Sequence, residues 1–361
     1  MRILLFIDCL GPGGAQRQIV GLATLLKTAG NDVGLLIYHD ILFYKLLSEI
    51  KCYIIRDSGN LFKRLLGVRK VIRQFEPDCI ISYLDSPSMI VSFWKMLGMK
   101  YKLIVSERNT TQHVGWRDRL KFRLYRFADA IVPNSYSQKR FVDVNYPQYR
   151  EKTIVIPNFV DISYFNPVKK KTRSNSILVV ASVWGSKNTL GFIDAARLLK
   201  KRGASFVVRW YGIYASTPYV EKCKSRIREY GLEDMFLLLP QTPNIIEAYQ
   251  TSDYFCLPSF FEGTPNVLCE AMACGLPIIC SDVCDNGIYV KEGVDGFLFN
   301  PCNTSEIADK MERALQLSDN DYYECCGKSR EVAEASFSKL KFIDSYLSLI
   351  NCISEKTCHQ G

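Results

Sequence analysis

Two kinds of pattern alternate along this chain. Short runs in which nearly every position is apolar are separated by longer stretches where apolar residues return at helical spacing. The runs are RILLFID, DVGLLIYH, CYIIRD, DCIISYL, KLIVSER, AIVPNS and TIVIPN in the first half. SILVVASV, SFVVRWYG, MFLLLP, YFCLPS, PIICS and GFLFN follow in the second. A strand without a polar face is buried on both sides, so these runs predict parallel sheets covered by helices above and below. Two such sets predict an α/β protein of two doubly wound, Rossmann-like domains. The polar, basic, Pro-containing stretch NPVKKKTRSNS (166–176) reads as the linker. It separates an N-terminal domain, 1–165, from a C-terminal domain, 177–338, and SKLKFIDSYLSLINC predicts a closing helix within 339–361. In open α/β sheets ligands sit beyond the carboxyl ends of the strands. Two such domains facing each other would frame a cleft.

Composition supports this division. A length of 361 residues suits two domains at about 150 residues each, and 48% hydrophobic with 23% charged residues is an ordinary globular balance. No apolar run reaches the ~18 residues of a membrane span. The start, MRILLFIDCL, carries Asp8 and reads as a first strand, not a signal peptide. Fourteen cysteines at irregular spacing read as reduced thiols of a cytosolic protein, and three histidines argue against a zinc enzyme.

Charge adds a second asymmetry. Residues 1–165 hold 24 Lys and Arg against 14 Asp and Glu, a net of +10, whereas 166–361 hold 22 against 23. The excess lies in KLLSEIK, LFKRLLGVRKVIRQF, KMLGMKYK and WRDRLKFRLYRF, and in the last Trp116, Leu120, Leu124 and Phe127 fall at helical spacing. One such segment is a solvated helix face. Four in one half point to an anionic surface, and without a recognisable nucleic-acid signature that surface reads as membrane lipid, not nucleic acid.

The richest stretch is PSFFEGTPNVLCEAMACGLPIICSD, 258–282. Thr264 suits a helix N-cap, Pro265 the first helical position, and Gly275 with Pro277 the stop. The helix start offers unpaired N–H groups and the positive end of a dipole, which suits phosphate. At about 1.5 Å per residue, Glu270 lies about 9 Å along the axis from Thr264. A diphosphate at the helix start would then put a sugar by Glu262 and a ribose by Glu270, since a carboxylate accepts from two vicinal hydroxyls. Two solvated carboxylates flanking a packing helix is the competing reading.

The pattern E-G-x-P-N-V-x-x-E-A-M-A-x-G-x-P resembles the signature of retaining nucleotide-sugar glycosyltransferases of family 4 ("glycosyl transferases group 1"). GPGGAQRQIVGLA (11–23), VSERN (105–109), DAIVPNS (129–135), IPNFVD (156–161) and SKNTLGFIDA (186–195) match the same family in the same order. The resemblance spans nearly the full chain. It implies the GT-B fold, with C-terminal helices returning to the first domain. It also implies a nucleoside-diphosphate sugar donor (UDP-sugar before GDP-sugar) and no cofactor.

Residue by residue, the resemblance places Glu262 on the donor sugar, Glu270 on the ribose, and Lys187 on the diphosphate. Gly263, Thr264, Pro265, Asn266 and Val267 form the phosphate-binding helix start. Gly13 and Gly14 belong to the family's first Gly-rich loop, where Gln16 replaces the usual acid. Gln16 also breaks a dinucleotide fingerprint, which argues against a nicotinamide oxidoreductase. Ser182 stands where the family has an arginine, and Arg108 where it often has a histidine. A guanidinium is no base near neutral pH, so Arg108 reads as an electrostatic or acceptor-positioning group, or as a structural contact. Glu107 and Asn109 are its neighbours without an assigned duty, and His113 is a candidate to replace the missing histidine. No metal site is evident, because Asp319-Asn320-Asp321 lies between helices and reads as a cap or turn.

The function implied is a retaining hexosyl- or N-acetylhexosaminyltransferase of cell-surface polysaccharide or glycoconjugate synthesis. The basic first half suggests that its acceptor is a saccharide on a lipid diphosphate at the inner face of the cytoplasmic membrane, with a soluble acceptor as the competing reading. A non-catalytic nucleotide-sugar or carbohydrate-binding protein of the same fold is the alternative, motivated by Ser182 and Arg108.

Overall fold

The computed structural model describes residues 1–56, 59–108, 111, 114–168, 172–213, 215–242 and 244–355. The chain groups into two compact units, one of Met1–Asn158 with Lys339–Gly361 and one of Phe159–Ser338.

In the first unit the apolar runs become β1 (Arg2–Phe6), β2 (Asp32–Ile37), β3 (Lys51–Ile54), β4 (Cys79–Tyr83), β5 (Lys102–Glu107) and β6 (Ala130–Pro133). They pair parallel in the order β3-β2-β1-β4-β5-β6. The intervening helices are α1 (Gly14–Thr28), α2 (Leu61–Phe75), α3 (Asp85–Met96), α4 (Trp116–Tyr125) and α5 (Tyr136–Asn145). Side-chain caps fix two of their starts: Asn60 accepts from the Phe62 N–H at 2.8 Å, and Ser135 from the Gln138 N–H at 3.2 Å. TIVIPN forms no strand. It follows β6 with N–H bonds from Ile154 to Ile131 O and from Ile156 to Pro133 O, but β6 itself ends at Pro133 and the pairing amounts to an isolated bridge between Ile131 and Thr153.

The second unit repeats the plan. β7 (Ser176–Val180), β8 (Val207–Ile213), β9 (Phe236–Pro240), β10 (Tyr254–Leu257), β11 (Ile278–Ser281) and β12 (Gly296–Phe299) order as β12-β11-β10-β7-β8-β9, all parallel. Around them lie α6 (Thr189–Lys201), α7 (Pro218–Glu229), α8 (Ile245–Thr251), α9 (Asn266–Ala273), α10 (Asn286–Tyr289), α11 (Thr304–Leu315) and α12 (Asp319–Phe337). Strand side chains alternate between two cores. Ile177, Val179 and Trp210 pack with α6, α7 and α11, while Leu178, Phe255 and Leu257 pack with α8, α9 and α12.

The last helix, α13 (Lys339–Glu355), belongs to the first unit and buries Phe342, Tyr346, Leu349, Ile350 and Ile353. α12, by contrast, stays with the second. Residues 159–165 also pack there, on the far side of the boundary from the sequence-based division. Val160 donates to Phe337 O at 2.9 Å, and Arg330 donates to the carbonyls of Ile162 (3.1 Å) and Phe165 (2.9 Å).

The cysteines among the described residues are free thiols, and burial pushes Cys79 up to about 12. Among the described residues no helix is long and apolar enough to cross a membrane, and no group of three or more His, Cys, Asp or Glu could hold a metal ion. Asp319-Asn320-Asp321 opens α12, capped by Ser318, which accepts from the Asp321 N–H at 3.2 Å.

Candidate active site

Strand order locates the site in the second unit. β7 has β8 on one side and β10 on the other, so the chains leaving β7 and β10 diverge to opposite faces and open a crevice at their carboxyl ends. The loop after β7 carries Ser182 and Lys187, and the loop after β10 carries Glu262 and runs into α9. The Phe260 N–H donates to Ser186 O at 3.0 Å and ties the two loops together. This brings the Lys187 ammonium within 2.5 Å of Glu262 Oε1, with side chains 25% and 12% exposed. Asn188, left-handed at φ 57°, turns the first loop into α6 and anchors it by donating to Pro301 O at 2.8 Å.

α9 starts one residue later than the sequence indicates. Pro265 is the N-cap and Asn266 the first helical residue, so Thr264 is not the cap. Pro265 O accepts from the N–H groups of Leu268 and Cys269, at 3.1 and 3.3 Å. Proline serves here because an N-cap residue contributes its carbonyl to the helix, and its fixed φ costs nothing. The Asn266 and Val267 N–H groups therefore precede the first intrahelical bonds, with Gly263 in the approach to them. At the other end Gly275 at φ +70° closes a Schellman turn, with Gly275 N–H to Met272 O at 2.9 Å and Leu276 N–H to Ala271 O at 3.0 Å. Glu270 faces inward, 2% exposed, and its Oε2 accepts from the Tyr249 hydroxyl at 2.9 Å. Tyr249 has no sequence signal, since its link to Glu270 comes from α8 packing on α9.

Gly212 supports Ser182 from below. Its φ is +154°, and a Cβ there would lie 1.9 Å from Ala181 O and 3.0 Å from Ser182 N. Only glycine lets β8 approach the end of β7 so closely.

The remaining candidates lie in the first unit. Gly13 is the N-cap of α1 and Gly14 its first residue, in the loop after β1, next to that sheet's own strand-order reversal. Gln16 Nε2 donates to Asp8 Oδ1 at 3.2 Å, so the amide that replaces the family's acid organises this loop. Arg108 donates to the hydroxyls of Tyr83 (2.5 Å) and Tyr346 (2.6 Å) and to Asn158 Oδ1 (2.9 Å). Its guanidinium also stacks over the Tyr83 ring at 4.0 Å. It therefore fastens α13 to the ends of β4 and β5. Asn109 and His113 lie outside the described residues.

Beside Arg108, Glu107 is fully buried. It accepts from Lys121 Nζ at 2.9 Å, the Tyr125 hydroxyl at 2.6 Å and Gln138 Nε2 at 3.3 Å. Burial pushes the Glu107 carboxyl up, and Lys121 pulls it back. Lys121, also buried, is held protonated by Glu107 and Asp85 against the opposing effect of burial. Sequence reading left Glu107 without a duty, because its partners are 14, 18 and 31 positions away.

Comparison with known proteins bears on the family and on the fold. Residues 12–164 match the family described as Glycosyltransferase Family 4, and residues 161–331 match Glycosyl transferases group 1. The chain is 27% identical over 343 residues to an α-1,4-N-acetyl-D-galactosaminyltransferase of Campylobacter jejuni that acts on a diphosphoundecaprenol-linked saccharide, covering 89% of this chain and 90% of that one. It is 28% identical over 215 residues to an Escherichia coli UDP-Gal:α-D-GlcNAc-diphosphoundecaprenol α-1,3-galactosyltransferase, covering 55% and 54%. Among solved structures, Anabaena HepE in complex with UDP superposes with a TM-score of 0.85 at 18% identity, covering 98% of this chain and 100% of that one.

Proposed function

Because the chain belongs to the group 1 glycosyl transferases of family 4, enzymes of the GT-B fold, we propose that it moves a sugar from a UDP-sugar to a saccharide carried on a lipid diphosphate, with retention at the anomeric carbon. The reaction breaks the bond between the sugar C1 and the diphosphate oxygen and forms one from C1 to the acceptor oxygen. The acceptor proton passes to the departing phosphate on the same face, and UDP leaves. Lys187 neutralises charge growing on the leaving diphosphate, and the Asn266 and Val267 N–H groups at the positive end of α9 add to this. Glu262 accepts from sugar hydroxyls, and Glu270, steadied by Tyr249, accepts from the ribose. Acceptor chemistry in two curated relatives supports the lipid-linked acceptor. UDP and UDP-glucose complexes of a structural neighbour support the donor. The basic excess of residues 1–165 supports work at the inner face of the cytoplasmic membrane.

One observation carries this reading: Lys187 and Glu262, 75 positions apart, meet at 2.5 Å beside the start of α9. They hold each other's charge until a diphosphate sugar separates them. The test offers a panel of UDP-hexoses and UDP-N-acetylhexosamines with a short-chain polyprenyl-diphosphate saccharide, and follows UDP release and the anomeric configuration of the product. Acceptor-dependent UDP release with a retained linkage is the expected result. Donor binding without UDP release, for every acceptor, would establish the non-catalytic binder instead.

A further inference from the structure

The exposed aromatic side chains of the second unit gather where its chemistry lies. Trp184 is 57% exposed, Phe260 39% and Phe261 37%. No other tryptophan or phenylalanine among the described residues of that unit is exposed. Trp184 stands in the loop after β7, three positions before Lys187, and Phe260 and Phe261 stand in the loop after β10, just before Glu262. Two backbone bonds of 3.0 Å, from the Phe260 N–H to Ser186 O and from the Lys187 N–H to Trp184 O, hold these segments beside the Lys187–Glu262 pair. Trp184 is also backed. Its indole lies 6.4 Å from the ring of Tyr219, in the first turn of α7, at an interplanar angle of 46°. Single apolar side chains left in water are ordinary, but three aromatic rings on two tied loops beside a charged pair form a ligand-binding composition. A pyranose ring has the matching shape: C–H bonds on one face for the rings, and hydroxyls at its rim for the charged groups.

Which sugar they meet follows from the order of groups along the donor. Polar groups already serve the donor in this unit: Lys187 and the Asn266 and Val267 N–H groups on the diphosphate, Glu262 on the sugar and Glu270 on the ribose. Glu270 lies well inside α9 and is buried, and the nucleotide base is attached beyond the ribose. The three aromatic residues adjoin Glu262 and Lys187 instead, at the sugar end. In the transfer reaction proposed above, on which this inference rests, the acceptor hydroxyl attacks on the face that the phosphate leaves. The acceptor then comes in beside Lys187, where Trp184 and Phe260 stand.

We propose that Trp184 and Phe260, with Phe261 beside them, form the platform on which the terminal sugar of the acceptor saccharide stacks. The second unit thus holds the donor through polar groups and selects the acceptor through aromatic ones.

The test titrates short-chain polyprenyl-diphosphate saccharides into the UDP-loaded full chain by calorimetry and measures the acceptor KM by UDP release. Trp184→Ala and Phe260→Ala should each weaken saccharide binding and raise the acceptor KM about 10-fold, the scale of one lost ring contact, with kcat little changed. Trp184→Phe, which keeps a ring, should recover most of that loss. The Kd for UDP and the melting temperature should match the parent protein, because both side chains are exposed and the donor contacts are polar. Unchanged saccharide binding in both alanine variants would overturn the proposal. Weaker UDP binding with saccharide binding intact would overturn it in favour of a donor contact. Self-association of the parent protein that Trp184→Ala abolishes, read by sedimentation velocity, would overturn it in favour of an interface between copies. A parent protein that binds none of the saccharides overturns it outright. Its failure and that of the transfer reaction can be told apart. A parent protein that transfers sugar while its alanine variants bind acceptor normally keeps the reaction and loses the platform. One that releases no UDP yet binds the saccharide through Trp184 keeps the platform and loses the reaction.

Discussion

Lys187 and Glu262 neutralise one another in a partly exposed pair, where an ion pair contributes at most about 1 kcal/mol to folding. Their mutation should therefore separate activity from stability. We predict that Lys187→Ala and Glu262→Gln each lower kcat/KM for UDP release at least 100-fold while moving the midpoint of urea unfolding by less than the equivalent of about 1 kcal/mol. A large loss of stability in either variant would mean that the pair is structural. Glu270→Gln should act on affinity instead: losing a charge-assisted hydrogen bond to ribose weakens UDP binding about 10- to 100-fold by calorimetric titration. Tyr249→Phe, which removes one donor to the carboxylate and leaves its charge, should weaken it less. At this scale the sequence was legible where chemistry is local. Glu262, Lys187 and Glu270 stand in motifs whose spacing can be read directly. Arg108 was not legible, because what it does depends on Tyr346, 238 positions later, and no local pattern carries that partnership.

Elements translate these contacts into position. β5 and α4 share the Glu107–Lys121 pair, both side chains 2% exposed. Removing the cation leaves a buried carboxyl that burial already pushes upward. Lys121→Met should then raise the Glu107 pKa further above its unfolded value. The sign follows from proton binding: a carboxyl raised in the folded state keeps its protein stable below the unfolded value and loses that stability as pH rises through the folded one. The variant should lose roughly 2–4 kcal/mol relative to the parent protein between pH 5 and pH 8. Urea unfolding at the two pH values measures this, and a pH-independent difference would refute it. Gly212→Ala tests the β7–β8 approach. A Cβ 1.9 Å from a backbone oxygen cannot be relieved by a side-chain rotation, so we expect a loss of about 2 kcal/mol or more and a lower melting temperature. The strands were legible because burial on both faces leaves uninterrupted apolar runs. TIVIPN has the same composition but lies at the sheet edge beyond the short β6, and composition does not reveal that a run lies at an edge. The cap of α9 was misplaced by one residue, because Thr264 and Pro265 are both good helix starters and only the Pro265 carbonyl bonds decide between them.

For the whole molecule, donor binding should leave a footprint that follows topology. UDP at about 100 times its Kd stabilises the state that binds it by about 2.7 kcal/mol. Hydrogen exchange should then slow in 182–190 and 258–275 and stay unchanged along α4 and the Pro147–Lys152 turn. Protection concentrated on α4 would contradict donor binding in the second unit. The two-unit plan could be read from the repeated strand pattern, but the boundary could not. Residues 159–165 join the second unit through bonds to Phe337 and Arg330, partners that no linker-like composition announces. The bipartite first unit also bears on how the protein is made. Its sheet emerges from the ribosome early, yet the helix that completes it begins at Lys339, after the whole of Phe159–Ser338. At 5–20 residues per second, roughly 10–40 s of synthesis separate the two. The half that is translated first is thus finished last, and through that interval its nascent apolar surface depends on chaperones or on provisional contacts.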